Sequence, residues 1–349
     1  MSNIIENVKE YYSKQLQNKS DLKSSACSCT EKPPAMVMEI LPLIADEIMD
    51  KFYGCGSPLA PLLEGMTILD LGCGTGRDAY IASKLVGESG SVIGVDMTTA
   101  QIEIAKKYQE TQRERFGFKK SNIQFYQGYI EDLKTIGIED NSIDIIISNC
   151  VINLSPAKEQ VFNEIYRVLK PGGELFFSDI FTDRRIPESL TLDPVLRGEC
   201  LSGALYVEDF RRLMAKCGFV DFRYTTIRNL DLQTDIEKKV GFATFSSRTV
   251  RAFKLNDLED ICEDYGQVAY YNGSIPEYPH YFDLDSHHRF FTGKPVLICG
   301  NTASMLSNTR YAKAFNVMGD TSVHYGAFGA CGNNADESIS KISAMRSCC

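Results

Sequence analysis

The sequence predicts an α/β protein whose central sheet is parallel, doubly wound and covered by helices on both faces. Two observations carry this prediction: a strand, glycine-rich turn, helix and second strand over 67–96, and further strands and helices that alternate up to 255. After 255, short strand-like runs with many aromatic residues predict a small, separate α+β domain. Ligands bind such sheets outside the carboxyl ends of the strands, so side chains at those ends are the first candidates for a site.

The chain divides into four predicted segments. Residues 1–60 hold N-terminal helices and a cysteine-containing loop, 61–255 a ligand-binding α/β domain, 256–330 the small domain, and 331–349 a tail. Apolar residues recur at helical spacing over 4–16 and again from Val37 to Phe52, which predicts two amphipathic helices before the sheet. The tail is rich in Gly, Asn and Ser and is predicted to be disordered.

The remaining elements are placed by their periodicity and by the residues that end them. Runs rich in β-branched and aromatic residues predict strands at 123–126, 143–148, 174–180, 222–230 and 244–255. Apolar residues at helical spacing predict helices at 99–115, 157–169, 207–217 and, in the small domain, 303–314. The K-P-G-G turn from Lys170 to Gly173 ends one helix sharply, and the last two strands before 255 are expected to close as an antiparallel hairpin.

The first turn of the predicted sheet is a cofactor cradle. Its glycines permit a tight turn and let a ligand approach closer than a Cβ would allow; they are Gly72, Gly74 and Gly76. Asp96 ends the next strand about 20 residues further on, where a carboxylate can hold a pair of ribose hydroxyls. Asp70 and Asp78 flank the turn, and acids suit a cationic ligand better than a pyrophosphate. A nicotinamide dinucleotide cradle is the alternative.

Composition excludes several classes of partner. The net charge of -9, with acids and bases interspersed, argues against a nucleic-acid or anionic-membrane surface. The N-terminus lacks an apolar signal core, and no run of about 18 apolar residues occurs, which predicts a cytoplasmic protein. Twelve cysteines in a reducing compartment indicate soft-element binding or redox chemistry. Zinc is a poor explanation, because C-x-x-C pairs are absent and His287-His288 is the one adjacent histidine pair.

Four cysteines are placed to meet at the mouth of the sheet. Cys150 directly follows a predicted strand, and Cys200 lies in the loop after the next one, so both emerge on the face where ligands bind. Cys55, in a glycine-flanked turn, and Cys27, in a polar loop, could reach this face from the N-terminal side. The alternative is that the thiols are small buried hydrophobic groups.

That alternative is favoured for three other cysteines: Cys73, in the glycine turn, and Cys217 and Cys299, at element ends. Cys262 and Cys331 stay undecided. Cys348 and Cys349, at the chain end, could bind a soft metal, although a fraying tail is the favoured account.

Several motifs resemble a known family. The run D-L-G-C-G-T-G-R-D is similar to the first motif of class I S-adenosylmethionine-dependent methyltransferases, whose fold is Rossmann-like. The runs F-Y-G-C-G, S-N-C-V-I-N-L, L-K-P-G-G-E-L-F-F-S-D and G-E-C-L-S-G-A-L-Y resemble those of the arsenite S-adenosylmethionine methyltransferases. The likeness extends from Val8 to about Gly332. It implies methylation of arsenite and of methylated trivalent arsenicals, in the service of arsenic detoxification.

The resemblance also implies roles for individual residues. Cys55, Cys150 and Cys200 would hold trivalent arsenic, while Cys27 would act as a redox thiol that forms a disulfide with Cys55. Cys29 makes the run C-x-C, which leaves open which of the two serves. Thioredoxin or glutathione would reduce the disulfide, and a monomer is expected. The residues implied around the cofactor are Asp70, Gly72, Gly74, Gly76, Asp78, Asp96, Met97, Gln101, Ile130, Glu131 and Asn149.

Two other functions stay open from the sequence. A methyltransferase that acts on a carbon or oxygen nucleophile, such as a quinone or sterol, would share the glycine turn but would have a basic residue at the mouth and a large apolar pocket. A non-enzymatic arsenic- or antimony-sequestering protein would use the thiols without the cofactor. The intact glycine turn and Asp96 argue against the second function.

Overall fold

The computed structural model describes residues 33–52, 54–191 and 193–329. The helix predicted over 4–16 and the predicted tail lie outside these residues, as do five of the cysteines: Cys27, Cys29, Cys331, Cys348 and Cys349. The described part of the chain has no helix that is both long enough and apolar enough to cross a bilayer.

The larger domain is built on an eight-stranded sheet. Its strands are β1 (Thr67–Leu71), β2 (Ser91–Asp96), β3 (Ile123–Gln127), β4 (Ile143–Asn149), β5 (Leu169–Thr182), β6 (Leu205–Tyr206), β7 (Phe222–Asn229) and β8 (Phe245–Phe253). They lie in the order β3-β2-β1-β4-β5-β8-β7, with β6 beside β5. Strands β1 to β5 pair in parallel, whereas β8 is antiparallel to both β5 and β7. The predicted parallel sheet and the closing antiparallel hairpin are both confirmed.

Helices precede and follow these strands. They are α1 (Ala35–Ile40), α2 (Asp46–Asp50), α3 (Arg77–Val86), α4 (Thr99–Lys107), α5 (Gln109–Phe116), α6 (Lys158–Val168), α7 (Pro194–Gly198), α8 (Val207–Lys216) and α9 (Thr234–Val240). Short 3-10 turns occupy Leu41–Leu43, Ile152–Leu154 and Glu188–Leu190. Helices α7 and α9 were not predicted, because each is short and carries few apolar residues at helical spacing.

Two predicted helices are each divided into two. The predicted helix over 37–52 was wrong as a single element, since Pro42 lacks an amide hydrogen and α1 gives way to a 3-10 turn before α2 begins. The predicted helix over 99–115 breaks at Tyr108, whose hydroxyl donates a 2.8 Å hydrogen bond to Glu47. The helical spacing of the apolar residues alone did not indicate this break, which coincides with a tertiary contact.

The strands alternate their side chains between two apolar clusters, one on each face of the sheet. On β4, Ile145 and Ile147 pack in one cluster with Ile68 and Tyr80, while Ile146 packs in the other. This alternation follows from the two-residue period of a strand. Because both faces of β4 are buried, its sequence is a nearly continuous apolar run.

The C-terminal unit has its own apolar core, which includes Tyr271, Phe282 and Tyr311. Its elements are β9 (Glu263–Asp264), β10 (Gln267–Tyr271), β11 (Tyr281–Asp283), β12 (Arg289–Phe291), β13 (Pro295–Ile298), α10 (Gly300–Ser307), a 3-10 turn (Arg310–Ala314), β14 (Phe315–Met318) and β15 (Gly326–Ala327). Strands β13, β10 and β14 form an antiparallel sheet. The helix predicted over 303–314 is therefore α10 followed by the 3-10 turn.

A buried ion cluster attaches this unit to the main sheet. Glu174, near the start of β5, accepts a 2.7 Å hydrogen bond from Arg251 Nε of β8 and pairs with Arg310 of the C-terminal unit. Arg223, at the start of β7, pairs at 3.5 Å with Asp285. These contacts lie toward the ends of β5 and β7 at which the chain enters, opposite the carboxyl ends of the parallel strands.

Candidate active site

A cavity opens at the carboxyl ends of β1 and β4, where the strand order changes direction. Its volume is about 1060 Å³, including the part open to solvent. Ten of the predicted cofactor residues line it: Asp70, Gly72, Gly74, Asp78, Asp96, Met97, Gln101, Ile130, Glu131 and Asn149. Gly76 is the one predicted cofactor residue outside this lining.

The glycines of the turn have different tasks. Gly74 has a φ of 54°, and no heavy atom lies within 4 Å of the position that a Cβ would occupy, so its backbone faces open space. Gly76 has a φ of 92° and precedes α3, where a Cβ would lie 3.0 Å from the ring of Phe125. The conformation of Gly76 serves the turn and the packing beneath it, and its part in cofactor binding stays a prediction.

Several acidic side chains line the cavity around the turn. Asp70 is 3% exposed, and its Oδ2 atom has no hydrogen-bond partner among the described residues. Burial, together with Asp78 and Asp96, raises the pKa of Asp70 well above its usual value. Asp96 accepts hydrogen bonds from the amides of Gly74, at 3.0 Å, and Thr98, at 2.8 Å. An unpartnered buried carboxylate oxygen in a cavity fits a cationic ligand group such as an ammonium.

Three of the four predicted thiols converge beside this cavity. The sulfur atoms of Cys55 and Cys150 are joined as a disulfide, with their Cα atoms 5.9 Å apart. Cys200 donates from Sγ to the carbonyl oxygen of Cys150 at 3.4 Å. All three side chains are buried, and Cys150 itself lines the cavity. The resemblance implied a Cys27–Cys55 disulfide, whereas the structure joins Cys55 to Cys150, and Cys27 lies outside the described residues.

The backbone of two of these cysteines is strained. In the part of the chain that the structure describes, four non-glycine residues have a positive φ: Leu62, Asn141, Cys150 and Cys200. The angles of Cys150 and Cys200, 58° and 60°, lie in the left-handed region, which costs a residue with a Cβ about 1 to 2 kcal/mol. Strain of this kind occurs frequently at functional sites, where the surrounding fold maintains it.

Asn149, the last residue of β4, fixes the turn that carries Cys55. Its Oδ1 accepts the amides of Cys55, at 3.0 Å, and Gly56, at 3.3 Å, and its Nδ2 donates to Gly56 O and to Asp78, both at 2.9 Å. Ser247 of β8 donates to the carbonyl oxygen of Cys55 at 2.8 Å. A Cβ on Gly56 would overlap Ser178 of β5, so only a glycine permits this close approach.

Two polar residues near the thiols were missed in the sequence. Asp179 of β5 is 1% exposed, and one of its carboxylate oxygens lies within 4.8 Å of the sulfurs of Cys55 and Cys150. Burial raises the pKa of Asp179 to about 7. Burial likewise lowers the pKa of Lys158 to about 8, with Arg197 lowering it further and Asp179 opposing the change. Asp179 ends an apolar run at the carboxyl side of a strand, a signal that could have identified it.

The comparisons with known proteins agree with this geometry. Residues 62–218 match the family model of a methyltransferase domain, and 264–343 match that of the arsenite methyltransferase C-terminal domain. The chain is 48% identical over 346 residues to the arsenite methyltransferase of Aquipseudomonas alcaligenes, which covers 99% of both proteins. The chain belongs to the arsenite methyltransferase family. This assignment confirms the resemblance and the class I methyltransferase fold that it implied.

Two further members of the family extend the likeness. The arsenite methyltransferase of Homo sapiens is 41% identical over 316 residues, which cover 89% of this chain and 83% of that protein. The crystal structure of an arsenic(III) S-adenosylmethionine methyltransferase from Chlamydomonas reinhardtii is 52% identical, with a TM-score of 0.82, and the match covers 85% of this chain and 100% of that one. Family membership supports the predicted cofactor, S-adenosylmethionine, and does not favour a quinone or sterol substrate.

Proposed function

We propose that this chain methylates trivalent arsenic bound by Cys55, Cys150 and Cys200, with S-adenosylmethionine as the methyl donor. One observation carries the proposal: the sulfur atoms of three buried cysteines, two of them joined as a disulfide, meet at the carboxyl end of β4 beside the cavity that the glycine turn forms. The names of its relatives, which are arsenite methyltransferases, support the same substrate.

The chemistry of sulfur explains why thiols suit this substrate. Trivalent arsenic is soft, and thiolates bind soft centres better than water or carboxylates do. Three sulfurs on one side of the arsenic leave its lone pair on the other, free to meet an electrophile. The bound cofactor supplies that electrophile as a methyl group on a sulfonium. The task of this chain's residues is then to hold the two reactants in line about 3 to 3.5 Å apart, without a general base.

The cavity residues are proposed to bind the cofactor by charge and shape. The unpartnered Oδ2 of Asp70 is suited to its α-ammonium group, and Asp96, which also orders Gly74, is suited to its ribose. Met97, Gln101, Ile130 and Glu131 would surround the adenine. Asn149 would lie at the methionine end, so the residue that fixes the Cys55 turn would also border the methyl group.

A thiol reductant is proposed as a co-substrate, with thioredoxin or glutathione in that role. The disulfide between Cys55 and Cys150 supports this proposal, since two electrons and two protons must enter to give the two thiols that arsenic needs. Cys27 or Cys29 would serve as the thiol that exchanges with Cys55 when arsenic returns to the trivalent state. A monomeric, cytoplasmic enzyme remains the expectation.

The test is the release of methylated arsenic from purified protein given arsenite, S-adenosylmethionine and a thiol reductant. Cys150→Ser and Cys200→Ser should each abolish product, because each removes an arsenic ligand. Cys217→Ser is the matched control, since Cys217 is also buried but lies at the end of α8, outside the thiol cluster. Cofactor binding without product in the wild-type protein would instead favour a carbon or oxygen nucleophile.

A further inference from the structure

The carboxylate of Asp179 lies beside the cysteine cluster, and the proposed binding of arsenic by sulfur does not use it. Asp179 belongs to the same buried group as Cys55 and Cys150, and the three potential ligand atoms lie within 4.8 Å of one another. It sits on β5 one residue after Ser178, whose carbonyl oxygen accepts the amide of Cys150 at 2.8 Å. Its position is therefore fixed by the same pairing of β4 and β5 that positions Cys150.

Each oxygen of this carboxylate is held by a backbone donor. Oδ1 accepts the amide of Ile180 at 2.8 Å, and Oδ2 accepts the amide of Asn153 at 3.0 Å. Both oxygens act as acceptors, which is the arrangement that suits an ionised carboxylate. Since two backbone groups anchor the side chain, it cannot turn away from the sulfurs without breaking these bonds.

A buried anion at this place has an electrostatic use in the proposed reaction. The arsenic lone pair forms the new As–C bond, and the electron pair of the broken C–S bond stays with the cofactor sulfur. The positive charge therefore moves from sulfur to an arsenic that already holds three thiolates. Resting on the proposed function, we propose that the Asp179 carboxylate is the counter-charge for this arsenic and stabilises the positive charge as it develops. A fixed anion aimed at developing charge is effective because it needs no reorganisation during the reaction.

The nearby cation, Lys158, is held by backbone carbonyl oxygens. Lys158 donates from Nζ to the carbonyl oxygens of Asn153, at 3.0 Å, and Ser155, at 2.9 Å. Its ammonium group is thus tied to the turn after β4. Lys158 and Asp179 do interact electrostatically, because each is among the causes of the other's pKa shift. The amides of Ile180 and Asn153 nevertheless keep the carboxylate beside the sulfurs.

The test replaces the charge and keeps the shape. Asp179→Asn should lower kcat for arsenite methylation about a hundredfold, the order expected for a lost unit charge close to the reacting atoms. Binding of trivalent arsenic, measured as protein-bound arsenic after equilibrium dialysis, and binding of S-adenosylmethionine should each change less than twofold. Asp183→Asn is the matched control: Asp183 directly follows β5 but pairs with Arg184 at the surface, so its loss should leave kcat unchanged.

The outcomes separate this inference from the proposed function. A wild-type protein that releases no methylated arsenic overturns both. An active wild-type protein with an equally active Asp179→Asn variant overturns this inference alone, and so does a variant that loses arsenic binding in parallel with activity. Asp179→Glu, which restores the charge, should recover at least a tenth of the wild-type kcat. Should Asp179→Asn not fold, a folded Asp179→Glu protein with less than a hundredth of that kcat overturns the inference.

Discussion

The turn that carries Cys55 gives the sharpest test of how the thiols are brought together. A methyl group on Gly56 would overlap the side chain of Ser178 and approach Thr249 Oγ1 to 3.3 Å. Overpacking of this kind typically costs about 1 to 3 kcal/mol. The turn can relieve the overlap by moving away from β5. We therefore expect the free-energy cost to lower the population of the conformation in which Cys55 faces Cys150.

Gly56→Ala should therefore reduce that population about 5- to 150-fold, because each 1.36 kcal/mol is a factor of ten. Two measurements report it: the rate of arsenite methylation at low arsenite concentration, and the yield of the Cys55–Cys150 disulfide after mild oxidation, determined by mass spectrometry. Gly56 lies outside the lining of the cofactor cavity, so the affinity for S-adenosylmethionine should stay unchanged.

The matched rescue is the double variant Gly56→Ala with Ser178→Gly, which removes the side chain that the new methyl group would meet. It should restore most of the rate and of the disulfide yield, apart from the loss of the 2.8 Å hydrogen bond between Ser178 and Thr249. A Gly56→Ala protein with wild-type rate and wild-type disulfide yield would refute the reasoning, as would a double variant that is no better than the single one.

Three further expectations concern the redox thiol, the ion cluster and pH. Cys27→Ser should abolish methylation of arsenite yet spare that of a monomethylated trivalent substrate, and loss of both activities would contradict the redox role. Glu174→Gln should lower the free energy of unfolding in urea by about 3 to 5 kcal/mol, because it leaves the buried guanidinium of Arg251 without its anion, whereas the exposed control Glu159→Gln should cost less than about 1 kcal/mol. Asp179 has a folded-state pKa of about 7. Its pKa in the unfolded chain is about 3.9, so the folded protein binds this proton more tightly. The free energy of unfolding should therefore fall by up to about 4 kcal/mol as the pH rises from about 4 to 7. Asp179→Asn should remove this decline.

Local patterns were sufficient to predict the framework and part of the site. The glycine turn and the strand ends are encoded over a few residues, so the cavity and the positions of Cys150 and Cys200 followed from them. Pro42 also indicated the break, because proline inside a helix removes a backbone hydrogen bond. The helical spacing of the apolar residues over 37–52 nevertheless predicted one continuous helix.

Contacts between distant segments could not be predicted in this way. Cys55 reaches Cys150 because Asn149, 94 residues away in sequence, holds its amide. Asp179 reads as the end of an apolar strand, and its nearness to two sulfurs depends on the pairing of β4 with β5 and on the turn that carries Cys55. Gly76 matched the spacing of a cofactor glycine, but its closeness to the ring of Phe125, on β3, could not be predicted from that spacing.

The C-terminal unit is attached to the main sheet away from the thiols, so its contribution to stability is expected to be separate from the catalytic rate. Glu174 and Asp179 lie on the same strand five residues apart, about 16 Å at the rise of a β-strand, and Glu174 holds the C-terminal unit at the end away from the thiols. Sequence changes around Glu174 are therefore expected to affect the free energy of unfolding more than the rate of methylation. For protein engineering, substitutions in the C-terminal unit are the choice for changing stability, and substitutions at the carboxyl edge of the sheet are the choice for changing catalysis.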